Sequence, residues 1–185
     1  MPNNIVQDGH PALRKISTPV SVADIGNAEI QKTLSDMVTA LHSQSDGVAI
    51  AAPQIGVNLR IFIVNGALLH DADPKKFKDN TDQVYINPNI IKRSTKQEWK
   101  AGEGCLSCRW LYGTVKRHNN VTIEAYDEHG TKFTRGAGGL LAHIFQHEVD
   151  HLDGILFVDK AKNIEEILPD DQEDGGISLE HNHKH

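Results

Sequence analysis

The sequence predicts an α+β fold in a single domain, on three observations. Its 185 residues lie within the roughly 100 to 200 that usually close one core. Two helical stripes stand far apart, one near each end of the chain. The strand-like runs between them include a hairpin and lack the regular alternation of strand and helix that builds a parallel sheet.

The first stripe covers residues 24–42, where Ile30, Leu34, Met37, Val38 and Leu41 fall at i, i+4, i+7, i+8 and i+11, the pattern of a helix docked on a core. Ser45-Asp46-Gly47 ends it. Residues 60–64, 84–87 and 121–126 read as strands, the last turning back through Asp127-Glu128-His129-Gly130 to pair with residues 131–134. Residues 65–83 exceed the roughly 12 to 15 residues usual for a structureless connection, and Leu68, Leu69 and Phe77 are expected to pin them to the body. Gly138-Gly139 opens the second helix, residues 140–152, and Asp153-Gly154 closes it. Residues 155–158 read as a last short strand. The acidic stretch 169–176 carries no core residue, and Leu179-Glu180-His181-Asn182-His183-Lys184-His185 looks like an expression tag. The expected domain is therefore 1–168, followed by a flexible tail, 169–185.

Composition narrows the function. Nineteen Lys and Arg against 25 Asp and Glu give a net charge of −6, so no basic footprint for nucleic acid or an anionic membrane surface exists. No apolar run approaches the roughly 18 to 20 residues of a membrane span, and the first residues lack the pattern of a signal or transit peptide. The expected compartment is the cytoplasm. There, the Cys105-x-x-Cys108 pair suits metal or redox work better than a structural disulfide.

The strongest local motif is His147-Glu148-Val149-Asp150-His151 within the second helix. Four residues turn a helix by about 400°, leaving the two imidazoles about 40° apart in azimuth and roughly 6 Å apart in rise. Both then reach one metal ion, and Glu148, one step round, can take a proton from water there without being a ligand. Leu140, Leu141, Ile144, Phe145, Val149 and Leu152 make this helix apolar nearly all round, hence buried, and its polar residues need partners that a metal and its surroundings supply. His143, one turn earlier, is expected to be a hydrogen-bonded or rim histidine, since three imidazoles in a row would strain tetrahedral geometry. A catalytic ion wants a third protein ligand. The position where metzincin proteases carry a third histidine is Phe157, and Glu165 and Glu166 lie in a stretch with little helical pattern. Cys105 is the better donor, within Glu103-Gly104-Cys105-Leu106-Ser107, which reads as a turn exposing backbone N–H groups. Gly47-Val48-Ala49-Ile50-Ala51-Ala52-Pro53-Gln54 combines small residues, which let a backbone ligand approach, with one amide able to donate to an oxyanion.

Together these three segments resemble the three ordered motifs of the peptide deformylase family, G-x-G-x-A-A-x-Q, E-G-C-L-S and Q-H-E-x-D-H-L. The resemblance extends from Pro11-Ala12-Leu13-Arg14-Lys15 to Gly154-Ile155-Leu156-Phe157. It implies small antiparallel sheets packed around a central metal-bearing helix. It implies a divalent metal held by Cys105, His147 and His151, commonly Fe(II), with zinc, nickel or cobalt suiting the same donors. It makes Glu148 general base and then acid, gives the oxyanion to Gln54 and the backbone N–H of Leu106, and assigns substrate contacts to Gly47, Val48, Ala49, Glu103, Gly104, Leu140 and His143. The implied reaction removes the formyl group from the N-terminal formylmethionine of nascent polypeptides, near the ribosome, and releases formate. The chain departs from the family pattern at Ala49, at Cys108-Arg109-Trp110 after Ser107, and at His143, departures that bear on substrate selectivity and leave the ligands and Glu148 untouched.

Two other readings compete. A closed Cys2His2 zinc module would use Cys105, Cys108, His147 and His151 and have no open position, although the 38 residues between Cys108 and His147 exceed the spacing of about 12 in small fingers. A zinc endopeptidase would share the helix motif and cut internal peptide bonds. A thioredoxin-like dithiol lacks the expected strand-to-helix context.

Overall fold

The computed structural model describes residues 4–170; the expected tag and most of the acidic tail lie outside them. Helix α1, Ala28–His42, begins where Asn27 caps it, its Oδ1 accepting from the Ile30 N–H at 2.9 Å. The expected start at residue 24 was too early, because Val22–Asp24 forms a separate 3-10 turn. The chain then makes β1 (Ala49–Ala51), a 3-10 turn (Ala52–Ile55), β2 (Ile61–Val64) and α2 (Gly66–Ala72). Strands β3 (Gln83–Arg93), β4 (Gln97–Gly104), β5 (Leu111–His118), β6 (Asn120–Tyr126) and β7 (Lys132–Gly138) lead to α3 (Gly139–Leu152), and β8 (Lys162–Glu166) follows.

Two antiparallel sheets result, one ordered β1-β2-β3-β6-β7 and the other β4-β5-β8. The predicted hairpin is present, with Tyr126 opposite Lys132. The larger sheet is covered on both faces. Ile61 and Ile63 of β2 pack in one cluster with Leu34, Met37 and Leu41 of α1, while the alternating Phe62 and Val64 pack in another with Phe145, Val149 and Leu152 of α3. That is why β2 is apolar without interruption: successive side chains point to opposite faces, and neither face meets water. Phe62 stacks on Tyr85 at 4.6 Å between ring centroids, and Tyr85 meets Phe145 edge-on at 5.0 Å, which fixes α3 against the sheet. The result is the α+β fold expected, with α3 central.

Two further expectations need correction. Residues 155–158 form no strand; Leu156 and Phe157 turn into a 3-10 segment and fill a third cluster with Leu13, Cys108 and Val115. A run of four apolar residues carries no period, so a buried turn reads like a strand. The long segment after Val64 holds α2, with Leu69 buried and Phe77 against the core as expected, while Leu68 is only half-buried. Helix α3 is not buried all round, since Leu140 is 57% exposed. Strands β4, β5 and β8 gave no signal, β4 and β8 being largely polar and exposed.

Candidate metal centre

Helix α3 sets His147 and His151 one turn apart, ring centroids separated by 4.9 Å. Cys105 arrives from the turn after β4, and one donor atom from each of the three residues lies within 4.8 Å of the others. Cys105 Sγ stands 3.2 Å from His151 Nε2. A tetrahedral ion at about 2.3 Å from sulfur and 2.0 to 2.1 Å from nitrogen would hold such a pair about 3.5 Å apart. That pair therefore stands close to the spacing one ion would impose, and the trio could hold one. His147 Nδ1 meets Glu103 Oε1 at 2.6 Å, which turns Nε2 toward the other donors, and burial holds His151 neutral, well below the ordinary histidine range. Among the described residues Cys108 is not part of the trio; it is buried beside Leu13, Val115 and Phe157. Nor are Glu165 and Glu166, which lie on exposed β8. A closed four-ligand module is not what these residues form.

Glu148 is 4% exposed, and its Oε2 has no hydrogen-bond partner among the described residues. Burial pushes this carboxyl up to about 7, against the opposing pull of His147, which suits a group that accepts and returns a proton near neutrality. Gln54 is held in the 3-10 turn after β1, its Oε1 accepting from the Ala51 N–H at 2.8 Å. Its Nε2 donates to Ser107 Oγ at 3.2 Å and faces Cys105 Sγ at 3.7 Å. The Leu106 carbonyl accepts from Gln7 Nε2 at 2.9 Å, anchoring the turn that carries Cys105.

Gln54, Cys105, Leu106, His147 and Glu148 line one cavity of about 580 Å³, with His151 buried behind them. Of the expected substrate contacts, Val48, Ala49, Glu103, Gly104, Leu140 and His143 line it, and Gly47 does not. Gly47 is needed elsewhere: a Cβ there would stand 2.5 Å from the Leu41 carbonyl oxygen. Glu103 touches the cavity, but its oxygens are engaged by Arg117, His143 and His147. Burial alone would raise this carboxyl; the hydrogen bonds from the two histidines and Arg117 outweigh it and hold Glu103 well below the usual carboxylate range. His143 is thus the hydrogen-bonded histidine expected.

One contributor went unrecognised in the sequence. Arg117, 4% exposed, ties Glu103 to Asp150, whose Oδ2 accepts from Nη1 at 2.6 Å. Its signal was a cation at the inward position of β5, in step with buried Gly113 and Val115. Arg109, within the departure marked after Ser107, pairs with Asp46 at 2.6 Å and lies over the Trp110 ring at 4.6 Å on the cavity wall.

Residues 2–166 match the family model described as polypeptide deformylase. The chain is 40% identical over 173 residues to the peptide deformylase of Symbiobacterium thermophilum, covering 92% of this chain and 71% of that protein. It is 42% identical over 148 residues to peptide deformylase 2 of Clostridium acetobutylicum, covering 80% and 87%. Among solved structures it resembles a peptide deformylase from Synechococcus elongatus in complex with actinonin, with a TM-score of 0.74, 34% identity, and 88% and 80% of the two chains covered. It also resembles the Met-Ala-Ser-bound class I type b peptide deformylase of Acinetobacter baumannii, with a TM-score of 0.72, 30% identity, and 84% and 96% covered.

Proposed function

Because the chain belongs to the polypeptide deformylase family, we propose that it hydrolyses the formyl amide of N-terminal formylmethionine on nascent polypeptides, giving formate and a free amino terminus. One observation carries the reading for this chain: a thiol and two imidazoles converge beside the buried Glu148 carboxyl, whose Oε2 has no hydrogen-bond partner among the described residues. Cys105, His147 and His151 would hold one divalent ion, Fe(II) in the cell, with zinc, nickel or cobalt accepted by the same donors. Such an ion, when bound, supplies Lewis acidity to water and to the formyl carbonyl.

The chain's own residues do the rest. Glu148 takes the proton as water attacks the formyl carbon, holds it in a site where burial favours the neutral acid, and returns it to the departing amine. Gln54 Nε2 and the Leu106 N–H donate to the oxygen that gains charge, and one such donor is typically worth about 2.7 to 4 kcal/mol. Glu103 takes no part in proton transfer. Its carboxylate fixes the His147 ring by hydrogen bonding to Nδ1. The cavity beside Val48 and Leu140 receives the methionine side chain, and the Met-Ala-Ser held by the Acinetobacter relative is a peptide of the kind this reaction leaves. The substrate puts the work in the cytoplasm near the ribosome. In keeping with that, no helix among the described residues is long and apolar enough to cross a membrane.

The test is metal analysis after anaerobic purification, then formate release from a formyl-methionyl tripeptide by the native protein and by Glu148→Ala. One ion per chain and turnover in the native protein alone are expected. Cleavage of internal peptide bonds without formate would overturn the assignment.

A further inference from the structure

Hydrolysis leaves the second cysteine without a task. Cys108 is 3% exposed among Leu13, Val115, Leu156 and Phe157, yet it contributes to the wall of the same cavity as Cys105. The chain doubles back between the two. The Cys108 N–H donates to the Cys105 carbonyl at 3.1 Å, which closes a four-residue turn and brings the two Cα atoms within about 7 Å. A disulfide bridges Cα atoms at about 4.4 to 6.8 Å, so this turn can accept one with little backbone movement. The side chains adjoin, since Cys105 packs against the cluster in which Cys108 is buried, and both cysteines are free. Ser107 does not intervene, because its hydroxyl is turned to Gln54.

We propose that Cys108 is the resolving thiol of a reversible switch in which a hydroperoxide withdraws Cys105 from the metal centre as an intrachain Cys105 to Cys108 disulfide. The proposal rests on reading Cys105 as a ligand. The chemistry balances in two steps. Cys105 sulfur attacks one peroxide oxygen and the O–O bond breaks; that oxygen stays on sulfur as a sulfenic acid, and the other leaves as water with a proton. Cys108 sulfur then attacks Cys105 sulfur, the S–S bond forms, the S–O bond breaks, and hydroxide departs with the Cys108 proton as a second water. The Cys105 thiolate and the Cys108 thiol together lose two electrons, Cys108 gives one proton and solvent the other, and hydrogen peroxide becomes two waters. A disulfide sulfur carries no anionic charge for the ion, so the metal is released from the two imidazoles left behind. Without Cys108, the sulfenic acid is open to further oxidation, to sulfinic and sulfonic acids that thiols do not reverse.

The experiment uses the protein loaded with zinc, which undergoes no redox change, its zinc content measured first. After a small excess of hydrogen peroxide, intact mass, thiol alkylation with disulfide mapping, and zinc released to a chromogenic chelator are read together. The expected result is loss of the mass of two hydrogens, a Cys105 to Cys108 link, zinc release in step, and recovery of both thiols and of zinc binding after dithiothreitol. Cys108→Ser should instead gain two or three oxygens on Cys105 and stay metal-free after reduction. Native protein that gains sulfinic acid on Cys105 while Cys108 stays alkylatable, or forms the link and keeps its zinc, would overturn the switch. Native mapping decides the matter even if Cys108→Ser fails to fold. A reduced native protein without zinc at the outset would overturn the ligand reading, and the switch with it.

Discussion

Replacing Arg117 by Met tests whether the buried carboxylate network supports both the fold and the metal centre. The guanidinium reaches Glu103 through Nε at 3.2 Å and through Nη2, and Asp150 through Nη1 at 2.6 Å. Glu103 and Arg117 are each 4% exposed at the side chain. Removing one partner of a buried pair costs about 3 to 5 kcal/mol. The low end applies here, because Asp150 keeps Lys160 Nζ at 3.0 Å and Glu103 keeps His143 and His147. A loss of about 3 kcal/mol lowers the melting temperature by about 6 to 12 °C in a domain of this size. The assay is urea and thermal unfolding of the metal-free protein for Arg117→Met, Glu103→Gln and the double variant. The double should lose less than the sum of the singles, with a coupling of about 1 to 3 kcal/mol. Metal affinity should also fall, by about 10 to 100-fold, because Glu103 orients His147. An Arg117→Met protein within about 1 kcal/mol of the parent, the level of a surface pair, or strict additivity in the cycle, would refute the reasoning.

Three further outcomes are expected. Glu148→Ala should retain one ion per chain by metal analysis while formate release falls at least 10² to 10⁴-fold, the usual contribution of a positioned acid-base group; an active variant would remove Glu148 from the mechanism. Cys105→Ala should lose the ion at micromolar metal while keeping the native circular dichroism spectrum, because the residue is a donor at the edge of the cavity rather than a core side chain; undiminished affinity would count against the trio. Gly154→Ala should destabilise by about 1 to 3 kcal/mol in urea unfolding, since Gly154 has φ +74° and a Cβ there would stand 2.7 Å from the Arg14 carbonyl oxygen; an unchanged midpoint would show that the junction after α3 yields.

What the sequence disclosed depends on where the information sits. The ligand pair and Glu148 are legible because helical spacing alone sets their geometry, and α1 and the hairpin because burial imposes a period. Arg117 shows the opposite case. A single cation in a strand becomes meaningful only when β4 pairs with β5, Gly104 opposite Tyr112 and Lys100 opposite Val115, and Glu103 is brought over α3. No local pattern encodes that pairing, and the polar, exposed β4 gives no hint of being a strand at all. The metal centre thus divides in two. Its nitrogen donors are fixed by one helix, and its sulfur donor and the carboxylate that orients His147 by a strand whose pairing is settled only in the tertiary fold. Loss of the β4 to β5 ladder should therefore abolish metal binding while leaving α3 helical, a separation that substitutions within α3 cannot produce.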